Sequence, residues 1–337
     1  MSSMYRGKKI LLIGGTGTIG QYLLKHLLEY EPAVIRIFSR DEHKQFEMQQ
    51  QWGANANIRY LIGDIRDSQR VVRAMEGIDY VFHAAAMKHV PSCEYNPFEA
   101  VQTNVIGTQN VIQAAIETGV KKVLFTSTDK AISPTNAYGA TKLTAERLIS
   151  AAEYQKGPKA TVFSSVRFGN VMGSRGSVIP LFKKQILENN SITVTDINMI
   201  RYMMTPSQAI SLMLKANEIA CGGEVFVLKM PIVRLSDLAE VMIEEVGKRY
   251  NIREDRIQVN NIGLRPGEKM YEELMTDDEY RYSLETDEMY IIPSYFAEEQ
   301  VEYPFARKTE KLENRLLYEP PIHKETLRDW LLTEQLL

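Results

Sequence analysis

Lys9-Ile10-Leu11-Leu12-Ile13-Gly14-Gly15-Thr16-Gly17-Thr18-Ile19-Gly20 is a short apolar run that breaks into glycines and then enters a helical pattern. An apolar run with no polar alternation reads as a parallel strand covered on both faces. Gly14, Gly17 and Gly20 stand three apart. Glycine is needed where the chain turns tightly after a strand, where backbone approaches a pyrophosphate, and where a helix packs closely on a strand. The following helix turns unpaired N–H groups and the positive end of its dipole toward phosphate. A tight turn with no ligand would also use glycine, but the strand–loop–helix context points further. The stretch predicts a dinucleotide-binding loop built from Gly14, Thr16, Gly17, Thr18, Ile19 and Gly20.

Working outward, apolar runs recur at 34–38, 58–62, 80–84, 123–126 and 161–166, with helical patterns between them. Asp67 reads as an N-cap and Gly77 as a helix stop. Pro97 opens a long helical pattern through Ile116. This alternation predicts an α/β fold with a doubly wound parallel sheet, the Rossmann arrangement. The second half is less regular. Thr205-Pro206 reads as an N-cap and first-turn proline of a helix reaching about Ala216. Glu224 to Leu228 reads as a strand, 236–246 as a helix, and Leu264 to Glu268 as a turn before another helix. Residues 276–310, rich in Asp, Glu and Tyr, read as irregular. No repeat or low-complexity linker separates the halves. The expected organisation is a cofactor domain over 1–167, with returning segments near 205–229. A smaller, interleaved C-terminal substrate lobe is expected over 168–337.

Composition removes several classes of function. Lys and Arg number 40 and Asp and Glu 43, a formal charge of −3, which argues against nucleic-acid binding and a polybasic membrane face. A 44% hydrophobic share beside 25% charged residues excludes disorder of the whole chain. The two cysteines, Cys93 and Cys221, do not suggest a disulfide framework, and the five histidines lack metal-ligand spacing. No metal is expected. No apolar run is long enough to span a membrane. The expected location is the cytoplasm.

Phe38-Ser39-Arg40-Asp41 ends the second predicted strand. An acid at that end binds the ribose 2′-hydroxyl of NAD, whereas a basic group accommodates the 2′-phosphate of NADP. Ser39 and Arg40 favour NADP over NAD, and Asp41 reads as the N-cap of the next helix. Asp64 and Ile65, after the third strand, are candidate adenine contacts. Ala84, Ala85 and Ala86, after the fourth, are small enough for a dinucleotide to lie against them. They serve equally as core packing.

Thr126-Ser127-Thr128-Asp129-Lys130 follows the fifth strand, and Tyr138-Gly139-Ala140-Thr141-Lys142 comes after a proline-containing loop. Tyr138 and Lys142 are four apart and share one helix face. An ammonium beside a phenol favours the phenolate, which can take a proton from a substrate hydroxyl while hydride passes to nicotinamide. Tyr-x-x-x-Lys alone is common on exposed helices; its place after the fifth strand makes it specific.

At this point the chain resembles the extended short-chain dehydrogenase/reductase superfamily over almost its whole length. It is most similar to the inverting UDP-N-acetylglucosamine 4,6-dehydratases of pseudaminic-acid and flagellar or capsular sugar pathways. The resemblance rests on Ser127-Thr128-Asp129-Lys130-Ala131, Asn136 to Lys142, Met87-Lys88-His89-Val90-Pro91, Arg167 to Val171, Gly173 to Val178, and Arg265-Pro266-Gly267-Glu268-Lys269. It implies NADP as a recycled cofactor and UDP-N-acetylglucosamine as substrate. It implies that Tyr138 and Thr128 manage the 4-hydroxyl during oxidation. Asp129 then protonates the departing C6 hydroxyl and Lys130 removes the C5 proton. An Asp-Lys dipeptide is elsewhere a solvated ion pair, but a simple epimerase has no use for one here.

Arg175, Arg201 and Arg265 are candidate diphosphate clamps. Asn170 is a candidate donor to phosphate or sugar, and Lys88 and His89 are candidates near the sugar. The chain departs from its relatives at Ile200, where they commonly carry threonine, and at Ser133, where they commonly carry asparagine. Alternatives stay open: retention at C5, release of a 4-keto-5,6-ene, a UDP-sugar 4-epimerase, or an inactive NADP-binding sensor. The resemblance also implies a homo-oligomer, a dimer or hexamer, with helices near 97–116 and 138–152 at the contact; apolar stripes on those helices would equally serve the intrachain core.

Overall fold

The computed structural model describes residues 3–53, 55–294, 302–309 and 320–337. Six strands occupy the expected runs: β1 (Lys9–Ile13), β2 (Val34–Ser39), β3 (Ile58–Ile62), β4 (Tyr80–His83), β5 (Lys122–Thr126) and β6 (Val162–Arg167). Between them lie α1 (Thr18–Leu28), α2 (Glu42–Trp52), α3 (Ser68–Met75), α4 (Val90–Tyr95), α5 (Pro97–Ala100), α6 (Gly107–Thr118) and α7 (Ala137–Gln155). The strands run parallel in the order β3-β2-β1-β4-β5-β6. Chain progression reverses between β1 and β4, so the carboxyl ends of these strands open a crevice. Side chains of β1 alternate between two apolar cores. Ile10 and Leu12 join Ile35, Ile37 and Phe82 on one face. Leu11 and Ile13 join Phe38, Val81 and Phe125 on the other. Helices cover both faces, which is why the strands read as unbroken apolar runs.

Several helix starts follow from their caps. Asp41 and Asp67 accept from the backbone N–H of Lys44 and Arg70, each at 3.0 Å. Gly77, just past α3, takes a left-handed φ of +69°. The 97–116 pattern is helical but not uniform: a π-helical stretch, Val101–Ile106, joins α5 to α6.

The rest of the chain adds β7 (Asn170–Val171), α8 (Val178–Asn189), β8 (Ser191–Val194), β9 (Ile200–Met204), α9 (Pro206–Ile219) and β10 (Val225–Leu228). It continues with β11 (Ile232–Arg234), α10 (Leu235–Tyr250), β12 (Gln258–Asn261) and α11 (Asp277–Tyr282). The last elements are β13 (Leu284–Glu285), β14 (Met289–Ile292), β15 (Arg307–Lys308) and α12 (Lys324–Thr333). Thr205 and Gln208 form a reciprocal capping box at the start of α9. β10 returns to lie parallel to β6, and β14, β13 and β15 extend the sheet antiparallel to ten strands. A third apolar core, including Phe182, Ile186, Leu238, Met242 and Leu331, ties α8, α10 and α12 together.

Two expectations are corrected here. The 276–310 segment is not irregular throughout, because it supplies α11 and three strands. β13 and β15 are two-residue strands at the sheet edge carrying Glu285, Arg307 and Lys308. They leave no apolar run to read. Residues 295–301 and 310 lie outside the described residues. The turn at Leu264 to Glu268 leads into further irregular chain, and the next helix begins only at Asp277.

Two buried polar features bear on stability. Arg167, at the end of β6 and fully buried, pairs with Glu146 of α7 and Glu279 of α11 and donates to the Leu274 carbonyl. His83, at the end of β4, is also fully buried, with Nε2 3.0 Å from Thr108 Oγ1. Burial, then the Lys142 charge, pushes its pKa down to about 3. Below the ordinary value near 6.5 an unfolded chain takes up a proton that the folded ring refuses. The stability from this group is therefore complete above pH 6.5 and is lost as pH falls toward 3. The expected loss at pH 5 relative to pH 7 is about 2 kcal/mol. Denaturant unfolding at the two pH values checks it, with His83→Asn expected to flatten the difference.

Candidate active site

Gly14 leaves β1 at φ +79°, a conformation that suits glycine, and a Cβ on it would lie 2.7 Å from the backbone nitrogen of Ala85. The loops after β1 and β4 thus meet backbone to backbone at the reversal point. This cradle suits a pyrophosphate, because no side chain keeps a ligand away. Gly17 takes the N-cap position of α1 without any side-chain cap, so the first N–H groups of α1 are left for a ligand. Thr16 is buried beneath, and Thr18 Oγ1 accepts from the Arg175 backbone N–H at 3.2 Å.

At the ends of β2 and β3, Ser39 Oγ accepts from Gln45, and the Arg40 guanidinium lies 3.6 Å from the Asp64 carboxylate. Burial would raise the Asp64 pKa, but hydrogen bonds from Arg66, then the Arg40 charge, hold it below the usual carboxylate range. Asp41 caps α2, as its position suggested. Ile65 is corrected in part. Its side chain is buried in the core against Gly107 of α6, so only its backbone can meet a ligand. Ala84, Ala85 and Ala86 are half-buried at the crevice.

The catalytic candidates converge from two elements. Asn136 caps α7 by accepting from the Gly139 N–H at 2.9 Å. Its side-chain nitrogen and the Thr135 hydroxyl each donate to the Gly267 carbonyl at 3.1 Å. The Arg265-Pro266-Gly267 turn thereby fixes the start of the helix that carries Tyr138. A Cβ on Gly139 would overlap the Lys130 carbonyl oxygen, so glycine lets the 129–131 turn press against α7.

That turn is capped by Thr128 and presents Asp129 fully buried. Asp129 Oδ1 accepts from Thr128 Oγ1 at 2.9 Å and from Lys130 Nζ at 3.0 Å, while Oδ2 is buried without a partner. Lys130 Nζ also lies 3.6 Å from Glu272 Oε1. Burial pulls the Lys130 pKa down, but the carboxylates of Asp129 and Glu272 outweigh it and hold the ammonium above its ordinary value.

Tyr138 departs from expectation. Burial pushes its phenol above 10, and the opposing influences are a hydrogen bond with Thr128 and the charge of Lys130. Lys142 was expected to supply that opposition. Instead its Nζ donates to the Thr126 carbonyl and sits 3.9 Å from the centroid of the Phe125 ring. Burial pulls its pKa down to about 7, against the pull of Glu146.

Beside Lys130 opens a cavity of about 280 Å³ whose polar wall includes Glu272, Asn170, Arg201 and Arg265 and whose apolar wall includes Met172 and Phe182. Arg201 is not a free clamp. Its guanidinium donates to the carbonyls of Ile200, Lys269 and Met270 at 2.8–2.9 Å, and burial lowers its pKa. Ile200 packs its side chain against the first core.

Lys88, His89 and Arg175 lie outside the cavity wall. Partial desolvation, then the Lys130 charge, lowers the Lys88 pKa. The His89 ring lies against Gly176, and Arg175 is exposed beside the phosphate loop. Ser133 has a φ of +43°, a left-handed backbone that asparagine tolerates better.

Two contributors escaped the sequence reading. Asn104, buried in the π-helical stretch, brackets Met87 through both backbone groups and donates to Thr141. Glu272 reaches Lys130 from a loop with no periodicity. Glu272 lay in no pattern, and Asn104, though inside the 97–116 helical pattern, is a polar residue whose partners lie on other elements. Among the described residues no group of three His, Cys, Asp or Glu is placed to hold a metal ion, and no helix is long and apolar enough to cross a membrane.

The comparisons with known proteins agree with this geometry. Residues 10–294 match the family described as polysaccharide biosynthesis protein. The chain is 44% identical over 291 residues to an inverting UDP-N-acetylglucosamine 4,6-dehydratase of Campylobacter jejuni, covering 86% of this chain and 84% of that one. It is 41% identical over 294 residues to a UDP-glucose 4-epimerase of Rickettsia prowazekii, with the same coverage. The solved structure of Pen from Bacillus thuringiensis superposes with a TM-score of 0.93 at 58% identity over 99% of both chains. With the glycine loop, the strand order and the Tyr138–Lys142 helix in place, the chain belongs to the polysaccharide biosynthesis protein family, within the extended short-chain dehydrogenases/reductases.

Proposed function

We propose that this protein is a UDP-N-acetylglucosamine 4,6-dehydratase that inverts C5 and uses NADP. The observation that carries the reading is the Asp129–Lys130 pair, its carboxylate fully buried and hydrogen-bonded through Thr128 to Tyr138. A 4-epimerase needs the tyrosine but leaves an acid and a base at this position unused. The Gly14 to Gly20 loop and the Ser39–Arg40 pair would hold the dinucleotide pyrophosphate and 2′-phosphate. Held there, the nicotinamide would supply reversible hydride transfer, from C4 and back to C6.

The protons balance between the protein's own groups and solvent. One proton moving along the 3.0 Å Lys130–Asp129 contact converts the ion pair to a carboxylic acid and an amine. The Tyr138 phenolate takes the C4 hydroxyl proton. Once C4 is a ketone, the C5 hydrogen is acidic, and Lys130 removes it. Asp129 protonates the C6 hydroxyl as the C6–O bond breaks, and water leaves. Solvent water then delivers a proton to the opposite face of C5, which inverts the centre, and Lys130 releases its proton to solvent. Tyr138 passes its proton through the Thr128 hydroxyl to Asp129, which restores the acid. General acid–base steps of this kind each contribute about 10²–10⁴-fold.

Asn170 and Arg265 on the cavity wall support a UDP-sugar occupant. The exposed Tyr95 and Phe98, beside the helices expected to pair, support a homo-oligomer. The test is incubation with UDP-N-acetylglucosamine in heavy water, followed by NMR. Deuterium at C5 and a C6 methyl group are expected. A C4 epimer with the C6 hydroxyl intact overturns the reading in favour of epimerase. An accumulating 5,6-ene would show that dehydration ends in release.

A further inference from the structure

We infer that Glu272 is the third member of the acid–base unit, a positioning residue that holds the Lys130 ammonium together with Asp129 and sets how readily it gives up and takes a proton. The inference about catalysis rests on the dehydratase reading; the inference about the Lys130 proton does not.

The geometry starts with the loop. Arg201 holds the carbonyls of Lys269 and Met270, Lys269 Nζ donates to the Ile132 carbonyl at 3.1 Å, and Arg167 holds the Leu274 carbonyl at 2.9 Å. The chain between these anchors is fixed, and it delivers Glu272 into the wall of the cavity that Lys130 also lines. Glu272 is buried, with one oxygen 3.6 Å from Lys130 Nζ and the other buried without a partner. A surface ion pair would not be built this way. An unsatisfied, buried carboxylate oxygen is costly, so the group must be retained for what its charge does nearby.

The groups facing Glu272 are Lys130, Asp129, Arg201 and Lys269, and those facing Lys130 are Asp129, Glu272, Tyr138 and Lys88. When Asp129 carries the proton meant for the C6 oxygen, it no longer stabilises the ammonium, and Glu272 is the nearest carboxylate left. Burial raises the Glu272 pKa, against Lys130, so its own charge is conditional. Ionised, it keeps Lys130 protonated; neutral, it frees Lys130 to act as a base. It is assigned no proton in the proposed reaction.

Competitive acetylation of the full-length protein with acetic anhydride, followed by peptide mass spectrometry across a pH series, reads the Lys130 midpoint. The side chain is 22% exposed, enough for a small reagent. Glu272→Gln is expected to lower that midpoint by about one unit. Glu272→Asp should restore part of the shift. In heavy water, the acid limb of C5 exchange should move in the same direction for Glu272→Gln. An unchanged Lys130 midpoint in both variants, with unchanged melting temperatures, overturns the inference. If the wild type shows neither C5 exchange nor dehydration, the dehydratase reading fails, and the acetylation midpoints still decide the role of Glu272.

Discussion

Asp129→Asn is expected to cut formation of the 6-deoxy product by about 10²–10⁴-fold while C5 hydrogen exchange in heavy water continues. Asparagine keeps the size of the side chain and the oxygen that accepts from Thr128 and Lys130. It has no transferable proton for the C6 oxygen. Losing the Asp129 charge lowers the Lys130 pKa, so part of its ammonium gives up a proton to solvent and can still act as the base at C5. With Tyr138 and Lys142 untouched, the 4-ketone still forms and C5 is still acidic, but water cannot leave. The recovered UDP-N-acetylglucosamine should carry deuterium at C5 with its C6 hydroxyl intact, as read by NMR. Product formation at the wild-type rate would remove Asp129 from the acid role.

The second large effect is on stability. Arg167 donates to Glu146 at 2.6 and 3.1 Å and to Glu279 at 2.8 and 2.9 Å, all fully or almost fully buried. Burial would raise the Glu279 pKa, but the Arg167 hydrogen bonds outweigh it and hold it below its ordinary value. Arg167→Met leaves two carboxylates and the Leu274 carbonyl buried without their partner. The expected cost is about 3–5 kcal/mol, a fall of roughly 4–7 °C in Tm for a chain of this length. Combining Arg167→Met with Glu146→Leu and Glu279→Leu should recover most of the loss, because no uncompensated charge remains. Thermal unfolding of the single and triple variants checks both statements. A triple variant no more stable than the single would mean that the network matters through shape rather than charge.

The same network explains why the site stays assembled. Glu146 lies one turn beyond Lys142 on α7, and Arg167 links it to α11 and the loop that carries Glu272. The helix bearing the phenol and the loop bearing Glu272 are thus tied to one another through a buried arginine at the end of β6.

The sequence by itself determined the parallel half of the sheet and the loop at its crevice. Those features are local. A covered strand is apolar along its length, Gly14 must turn left-handed against Ala85, and Asp67 and Thr205 cap the helices that follow them. It also marked Thr128, Asp129, Lys130, Tyr138 and Lys142, because residue types at short spacings carry that signal. Tertiary structure alone decided which charges meet. Arg201 was read as a clamp for a ligand, yet it is spent on backbone carbonyls of a loop about 70 residues away. Lys142 was read as the partner of Tyr138, yet Thr128 and Lys130 exert the opposing influence. Glu272 lay in no pattern, yet it completes the Lys130 environment. Electrostatic partnerships depend on distance through space and on the exclusion of water, and neither quantity is written in the order of residues along the chain.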